Sequence, residues 1–285
     1  MRHPILLPLC LTAIVAVSAC QKSGDAEVNR AMEDLNALEG HDLSDVMLTV
    51  ADPSEAVTYF ANQLQTNPDR IDLMRGLAKS YVRASRPNDA IPAWQQVIAH
   101  EDSNYDDSVE LADAFIRANR WDEAGNTLNT IPPTHETFKR YRLEAMVADS
   151  KEQWEKSDSF YQTAAGLTTT PASVLNNWGY SKLTRGDYPA AERLFSDSIR
   201  HNGGSFTAKN NLILARGAQR KYDLPVIPMD QTERARLLHT MALTAIKQND
   251  VTIGQGLLRE AIDTHPQHFE EAQIALRALE NNVTN

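Results

Sequence analysis

This 285-residue sequence has only two cysteines, Cys10 and Cys20, both close to its start. The body of the chain therefore has no internal disulfide to draw on, and its fold must stand on packing alone. An excess of cations is also missing: 28 Lys and Arg face 38 Asp and Glu, a formal net charge of −10. A phosphate backbone demands Lys and Arg, so no nucleic-acid partner is expected. Glycine and proline number just 12 and 13 and fall mostly between apolar-periodic stretches. No run alternates apolar and polar residues as a half-buried strand would, which points to an all-α chain. Chemistry-bearing motifs are equally scarce. His135-Glu136 lacks the second histidine of a zinc-protease helix, and His265 and His268 straddle Pro266 with no further ligand nearby. There is no nucleophile-elbow serine and no phosphate-cradling glycine loop. No metal, no cofactor and no enzymatic activity are expected.

What is present begins at the N-terminus. Arg2 precedes an apolar run from Ile5 to Ala19. The run is too short for a comfortable membrane span, which needs about 20 apolar residues, and reads as an export signal. Val17-Ser18-Ala19-Cys20 resembles a bacterial lipobox, in which the cysteine sulfur takes a diacylglycerol and the chain is cut before it. Cys20 is thus the expected lipidation site, and Cys10 would leave with the signal. Gln21 stands where enterobacterial lipoproteins kept at the inner membrane carry Asp, which favours the periplasmic face of the outer membrane. Several acyl chains would hold the protein far more firmly than one. Residues 21–36 are polar and weakly patterned, as a tether would be.

Beyond the tether a pattern returns every 34 residues. Leu77, Tyr81 and Ala90 recur as Leu111, Phe115 and Ala124, and Trp154, Ser157 and Tyr161 recur as Tyr188, Ala191 and Phe195. That period, with its large–small–large code, resembles the tetratricopeptide repeat, a pair of antiparallel helices. The expected fold is therefore a right-handed superhelical solenoid of such pairs. Helices are predicted over Ser54–Thr66, Arg70–Ala84, Pro87–Ala99, Tyr105–Ala118, Trp121–Ile131, Phe138–Asp149 and Trp154–Ala165. A further pair opens at Leu175 and turns at Arg185-Gly186-Asp187-Tyr188. In it, Gly179 and Ala191 are small enough to let the helices approach. Thr207–Ala218 starts another repeat, but Leu224-Pro225-Val226-Ile227-Pro228-Met229 replaces its second helix, because two prolines so close cannot sit inside one. An extended segment covering the vacated face is expected there. Asp230 then caps Thr232–Gln248, with Glu233 completing a capping box. Val251–Thr264 and a capping helix over Gln267–Glu280 follow. The chain thus divides into a signal peptide (1–19), a lipidated cysteine and tether (20–36), repeats (37–222), a proline-containing break (223–229) and a C-terminal pair with its cap (230–285).

Asn176-Asn177-Trp178-Gly179, the Gly186-Asp187-Tyr188 turn and Asn210-Asn211-Leu212, together with the lipobox and the length, resemble the TadD-type lipoproteins of tight-adherence (Flp) pilus assembly. The resemblance implies an outer-membrane lipoprotein that helps a secretin assemble or sit stably. A secretin or pilus component is then the expected protein partner, and the lipid the link to the membrane. An adaptor for cell-wall enzymes or outer-membrane protein assembly is the alternative. A rival of another class, a glycan-cleaving helical enzyme, would need two facing carboxylates.

In tetratricopeptide solenoids the first helix of each pair lines the concave groove. Projected on that rule, the groove receives Arg75, Lys79, Arg83, Glu110, Asp113, Arg117 and Arg142. Further along come Asn176, Asn177, Tyr180, Asn210, Asn211 and His239. The basic residues suit an acidic segment. The two asparagine pairs, 34 apart, are expected to stack as a ladder for an extended backbone. Glu110 and Asp113, the only acids placed in the groove, share one helix, a poor arrangement for a glycosidase.

Overall fold

The computed structural model describes residues 43–283. The export signal, Cys20 and the tether lie outside the described residues. Among the described residues every regular element is a helix. The chain divides into two compact units, up to Asp107 and from Ser108 onward, with the division inside one helix.

In the first unit a helical stretch over 43–49 precedes α1 (Pro53–Thr66), α2 (Ile71–Arg83) and α3 (Pro87–Ala99). Asp52 starts α1: its Oδ1 accepts from the backbone N–H of Ser54 (2.8 Å), and Pro53 needs no such partner. Ala56, Phe60 and Leu73 form the core, with Met47, Leu48 and Leu77 against it. Gly76 is obligatory, since a Cβ there would overlap the ring of Phe60. This unit also carries the start of α4 (Tyr105–Arg117).

The second unit continues through α5 (Trp121–Asn129), α6 (Phe138–Ser150), α7 (Trp154–Gly166), α8 (Ala172–Thr184), α9 (Tyr188–His201) and α10 (Phe206–Ala218). It closes with α11 (Gln231–Lys247), α12 (Val251–Thr264) and α13 (Glu270–Val283). Short turns join successive helices, so neighbours run antiparallel. Gly179 lets α8 meet α9, where a Cβ would stand 2.7 Å from Phe195 Cε1. Six of the turns share one device, a residue with positive φ: Ser85, Asn119, Glu152, Gly186, Arg220 and Asn249, of which only one is glycine. From Ser85 to Arg220 they recur every 34 residues, save for one step of 33 between Asn119 and Glu152.

The expected capping box is present: Asp230 Oδ1 accepts from Glu233 N (2.7 Å), and Glu233 reaches back to Asp230 N. Between α10 and α11 the proline-containing segment runs without helix. Leu224, Ile227 and Met229 pack against the core, replacing apolar cover that a second helix would have supplied. Val226 is the exception and projects fully into solvent, at a tight bend where Ile227 N donates to Pro225 O (3.0 Å). The last helix starts at Glu270 rather than Gln267, because the His265 ring engages the Gln267 backbone and holds the chain in a turn.

Candidate functional site

One side of α8 supplies more of the site than any other helix. Asn176, Tyr180 and Thr184 follow one another at helical spacing, and Asn177 and Ser181 stand beside them. They line a cleft of about 490 Å³ with Met146 and Asp149 of α6, Trp154 and Tyr161 of α7, Asn211 of α10 and Trp121 of α5. Tyr180 is 54% exposed, so its ring is displayed rather than packed.

Asp149 sits at the centre of the polar network. Its Oδ1 accepts from Ser157 Oγ (2.5 Å) and Ser181 Oγ (2.7 Å), and its Oδ2 from Tyr161 OH (3.0 Å). Burial pushes the Tyr161 phenol well above its ordinary pKa, and the Asp149 charge adds to the push, with Arg142 and Arg185 opposing it. Tyr161 therefore stays a hydroxyl donor. Its ring stacks on Trp178 at 6.2 Å, and Trp178 Nε1 donates to Asp158 (2.6 Å). Asp158 also accepts from Lys182 Nζ (2.9 Å) and from Arg185. Burial alone would raise the Asp158 pKa, but the bonds from Lys182, Arg185 and Trp178 outweigh it and hold the carboxyl below the usual range. Two carboxylates thus fix α6, α7 and α8 behind the cleft.

Of the residues predicted for a groove, Asn176, Asn177, Tyr180 and Asn211 come together here. Their pairing differs from a ladder of equivalent positions. Asn211 Nδ2 donates to Asn176 Oδ1 (3.1 Å), and Asn177 Nδ2 reaches Met146 Sδ (3.3 Å). Asn210 turns away, with its Oδ1 accepting from Thr240 Oγ1 (2.8 Å).

Most of the charged candidates are engaged elsewhere. Arg75 grips the buried Asp107 with two nitrogens (2.7 and 2.8 Å) and also donates to Asp102 O (3.1 Å). Arg83 closes the end of the helical stretch 43–49 by donating to Met47 O (2.8 Å) and Ala51 O (2.9 Å). Neither is a free cation awaiting an acidic ligand, because each satisfies a group of its own unit. Lys79 is exposed. Arg117 pairs with Asp113 (3.1 Å), and Lys139 Nζ lies 2.6 Å from Glu110 and 3.8 Å from Asp113. A lysine shared by both acids is no acid–base pair for glycoside cleavage. Arg142 has its Nε buried with no hydrogen-bond partner among the described residues. His239 packs edgewise on Phe269 (5.4 Å between centroids), and its burial lowers its pKa despite nearby Glu271. Among the described residues no group of three or more His, Cys, Asp or Glu could hold a metal ion, and no helix is long and apolar enough to cross a membrane.

Sequence reasoning missed Trp121, Trp154, Met146, Asp149, Ser181 and Thr184. The tryptophans had a signal: each is the first residue of its helix, immediately after a turn, as Tyr188 is.

Residues 81–147 match the sequence profile of a family described as tetratricopeptide repeat. A chain of the APC/C hetero-tetramer Cut9–Hcn1 superposes with a TM-score of 0.60 at 13% identity, over 83% of this chain and 48% of that one. This chain thus spans about half the length of that relative. A tetratricopeptide repeat protein from Parabacteroides merdae ATCC 43184 gives 0.55 at 12% identity, over 84% of this chain and 96% of that one. Human IFIT1, as a dimer with m7Gppp-AAAA, gives 0.56 at 13% identity, over 80% and 58%. The fold is a tetratricopeptide-repeat solenoid. No curated protein matches the sequence. At these identities the likeness is one of fold, and such repeats build protein-interaction scaffolds.

Proposed function

We propose that this chain is a non-enzymatic, lipid-anchored scaffold that grips an extended segment of a partner protein in the cleft between α5, α6, α7, α8 and α10. Lipid on Cys20, after removal of a signal over 1–19, holds it at the periplasmic face of the outer membrane, with 20–36 as a tether. Its process is tight-adherence pilus assembly, and its partner a secretin or pilus component. The observation that carries the scaffold reading is the cleft itself. An exposed Tyr180 and two tryptophans flank amide groups that can bond a peptide backbone, on a framework held rigid by Asp149 and Asp158. The lipobox and the asparagine motifs support the address and the process.

The test is gentle detergent co-purification of the full-length protein from its own envelope, beside Cys20→Ala and Tyr180→Ala variants, with mass spectrometry of what accompanies it. Co-purification of a secretin or pilus component, lost in both variants, is the expected result. Recovery of cell-wall enzymes or barrel-assembly proteins instead would overturn the pilus assignment and keep the scaffold. A partner indifferent to Tyr180→Ala would move the interaction out of the cleft.

A further inference from the structure

Several polar groups of the cleft are committed to the protein itself. Trp121 Nε1 donates to Asn119 Oδ1 (2.7 Å), Ser150 Oγ to Val147 O (2.7 Å) and Thr184 Oγ1 to Ser181 O (2.9 Å). The hydroxyl hydrogens of Ser181 and Tyr161 go to Asp149. Asn177 and Asn211 each give an amide hydrogen to another side chain of the cleft. Acceptor capacity remains on the Asp149 carboxylate, on the Ser181 and Tyr161 oxygens and on the amide oxygens of Asn177 and Asn211, beside amide hydrogens left on Asn176, Asn177 and Asn211 for a peptide backbone. Charge gives the cleft a sign. Among the described residues that line the cleft, Asp149 is the one charged side chain. Arg142 and Arg185 act on Tyr161 from nearby, but neither lines the cleft, and Arg185 is paired with Asp158. The walls are aromatic faces, and one of them already takes a cation: the Arg185 guanidinium lies 5.4 Å from the Trp154 ring centroid.

We propose that the cleft receives the basic side chain, Arg or Lys, of the extended partner segment. This rests on the peptide-cleft reading above. An ammonium or guanidinium brings donors only, which the Asp149 carboxylate and the neighbouring hydroxyl and amide oxygens can accept. Its charge is attracted to the faces of Trp and Tyr and to a carboxylate. An acidic segment would bring acceptors and a like charge to Asp149, so the cleft selects the sign opposite to the one that a row of groove arginines suggests.

The test uses the full chain and four capped pentapeptides, Ala-Ala-Xaa-Ala-Ala, with Xaa Arg, Lys, norleucine or Glu, titrated by calorimetry and by tryptophan fluorescence. The Arg and Lys peptides should bind at least about tenfold tighter than norleucine, with Glu weakest. Tyr180→Leu should cost the Arg peptide at least about fivefold and the norleucine peptide less than about twofold, and Tyr180→Phe should restore the preference. Asp149→Asn should also erase it. Asp149 holds three hydroxyls, so that variant risks the fold, whereas the exposed Tyr180 series does not. Norleucine binding as tightly as Arg would overturn the proposal and leave the peptide-cleft reading standing. Free choline matching the Arg peptide would assign the site to a small amine and overturn the peptide form. If no peptide binds, the proposal falls, and the effect of Tyr180→Ala on co-purification decides separately whether the cleft is a protein site.

Discussion

Two regions of this molecule carry polar residues at repeat positions expected to line a groove, and they put them to opposite uses. In residues 43–107, Arg75 and Arg83 are consumed: one neutralises the buried Asp107, the other finishes a neighbouring helical stretch. In the cleft, Asp149 holds the framework while amide groups and rings stay on display. A side chain on the correct face is available to a ligand only if its own neighbours have not already claimed it.

The comparison breaks most directly at Arg75. Arg75→Glu would strip Asp107 of its partner and set a second carboxylate beside it. A loss of roughly 3–5 kcal/mol in urea unfolding is expected, as for one broken half of a buried ion pair. Tyr180→Ala, an exposed change, should stay within about 0.5 kcal/mol of the parent and alter binding alone. A stable Arg75→Glu protein would return that arginine to the list of ligand groups.

Next in size is the helix contact behind the cleft. Gly179→Ala should cost about 1–3 kcal/mol, since Phe195 must give way to the new methyl. Gly166→Ala meets nothing within 4 Å and should gain up to about 1 kcal/mol, read from the same denaturation midpoints.

Acid should loosen the second unit in two steps. Burial keeps His239 below its ordinary pKa, so its contribution is present above about pH 6.5 and is lost as pH falls through the lower folded value. For Asp158 and Glu192, burial is outweighed by hydrogen bonds, from Lys182, Arg185 and Trp178 in one case and Lys221, Gln219 and Arg216 in the other. Their stabilisation is present above about pH 4 and disappears as pH falls through their depressed values. Midpoints measured from pH 8 to 3 should show both steps, with Asp158→Asn shrinking the second and leaving the first. A profile unchanged by Asp158→Asn would deny that carboxylate its role.

The smallest effect concerns the turns. Glu152→Gly relieves a left-handed residue and should stabilise by about 0.5–1 kcal/mol, whereas Gly186→Ala should destabilise by a similar amount. Equal and null shifts would mean that the positive-φ device adds nothing.

The fold was legible because its cause is local. A repeated code of large and small residues, proline stops and the Asp230–Glu233 box each dictate a helix or its end without reference to distant chain. The cleft was legible in part. Asn176, Asn177, Tyr180 and Asn211 follow from the rule that first helices face the groove. Trp154 was visible only as the equivalent of Tyr188, and nothing in the sequence says that it faces a cleft. Asp149 was hidden because its meaning comes from hydroxyls 8, 12 and 32 residues away. Arg75 and Arg83 misled for the same reason, since their partners stand 27 to 36 residues off. Periodicity states which face a residue occupies and is silent about who meets it there.

The most direct test of the account is site-specific photo-crosslinking in the native envelope. One strain would carry a photoreactive amino acid at position 180 and another at position 79; both sites are exposed. The account predicts one discrete crosslinked partner from position 180 and none from position 79. A partner captured from position 79 and not from 180 would contradict it and return the interaction to the basic helix α2.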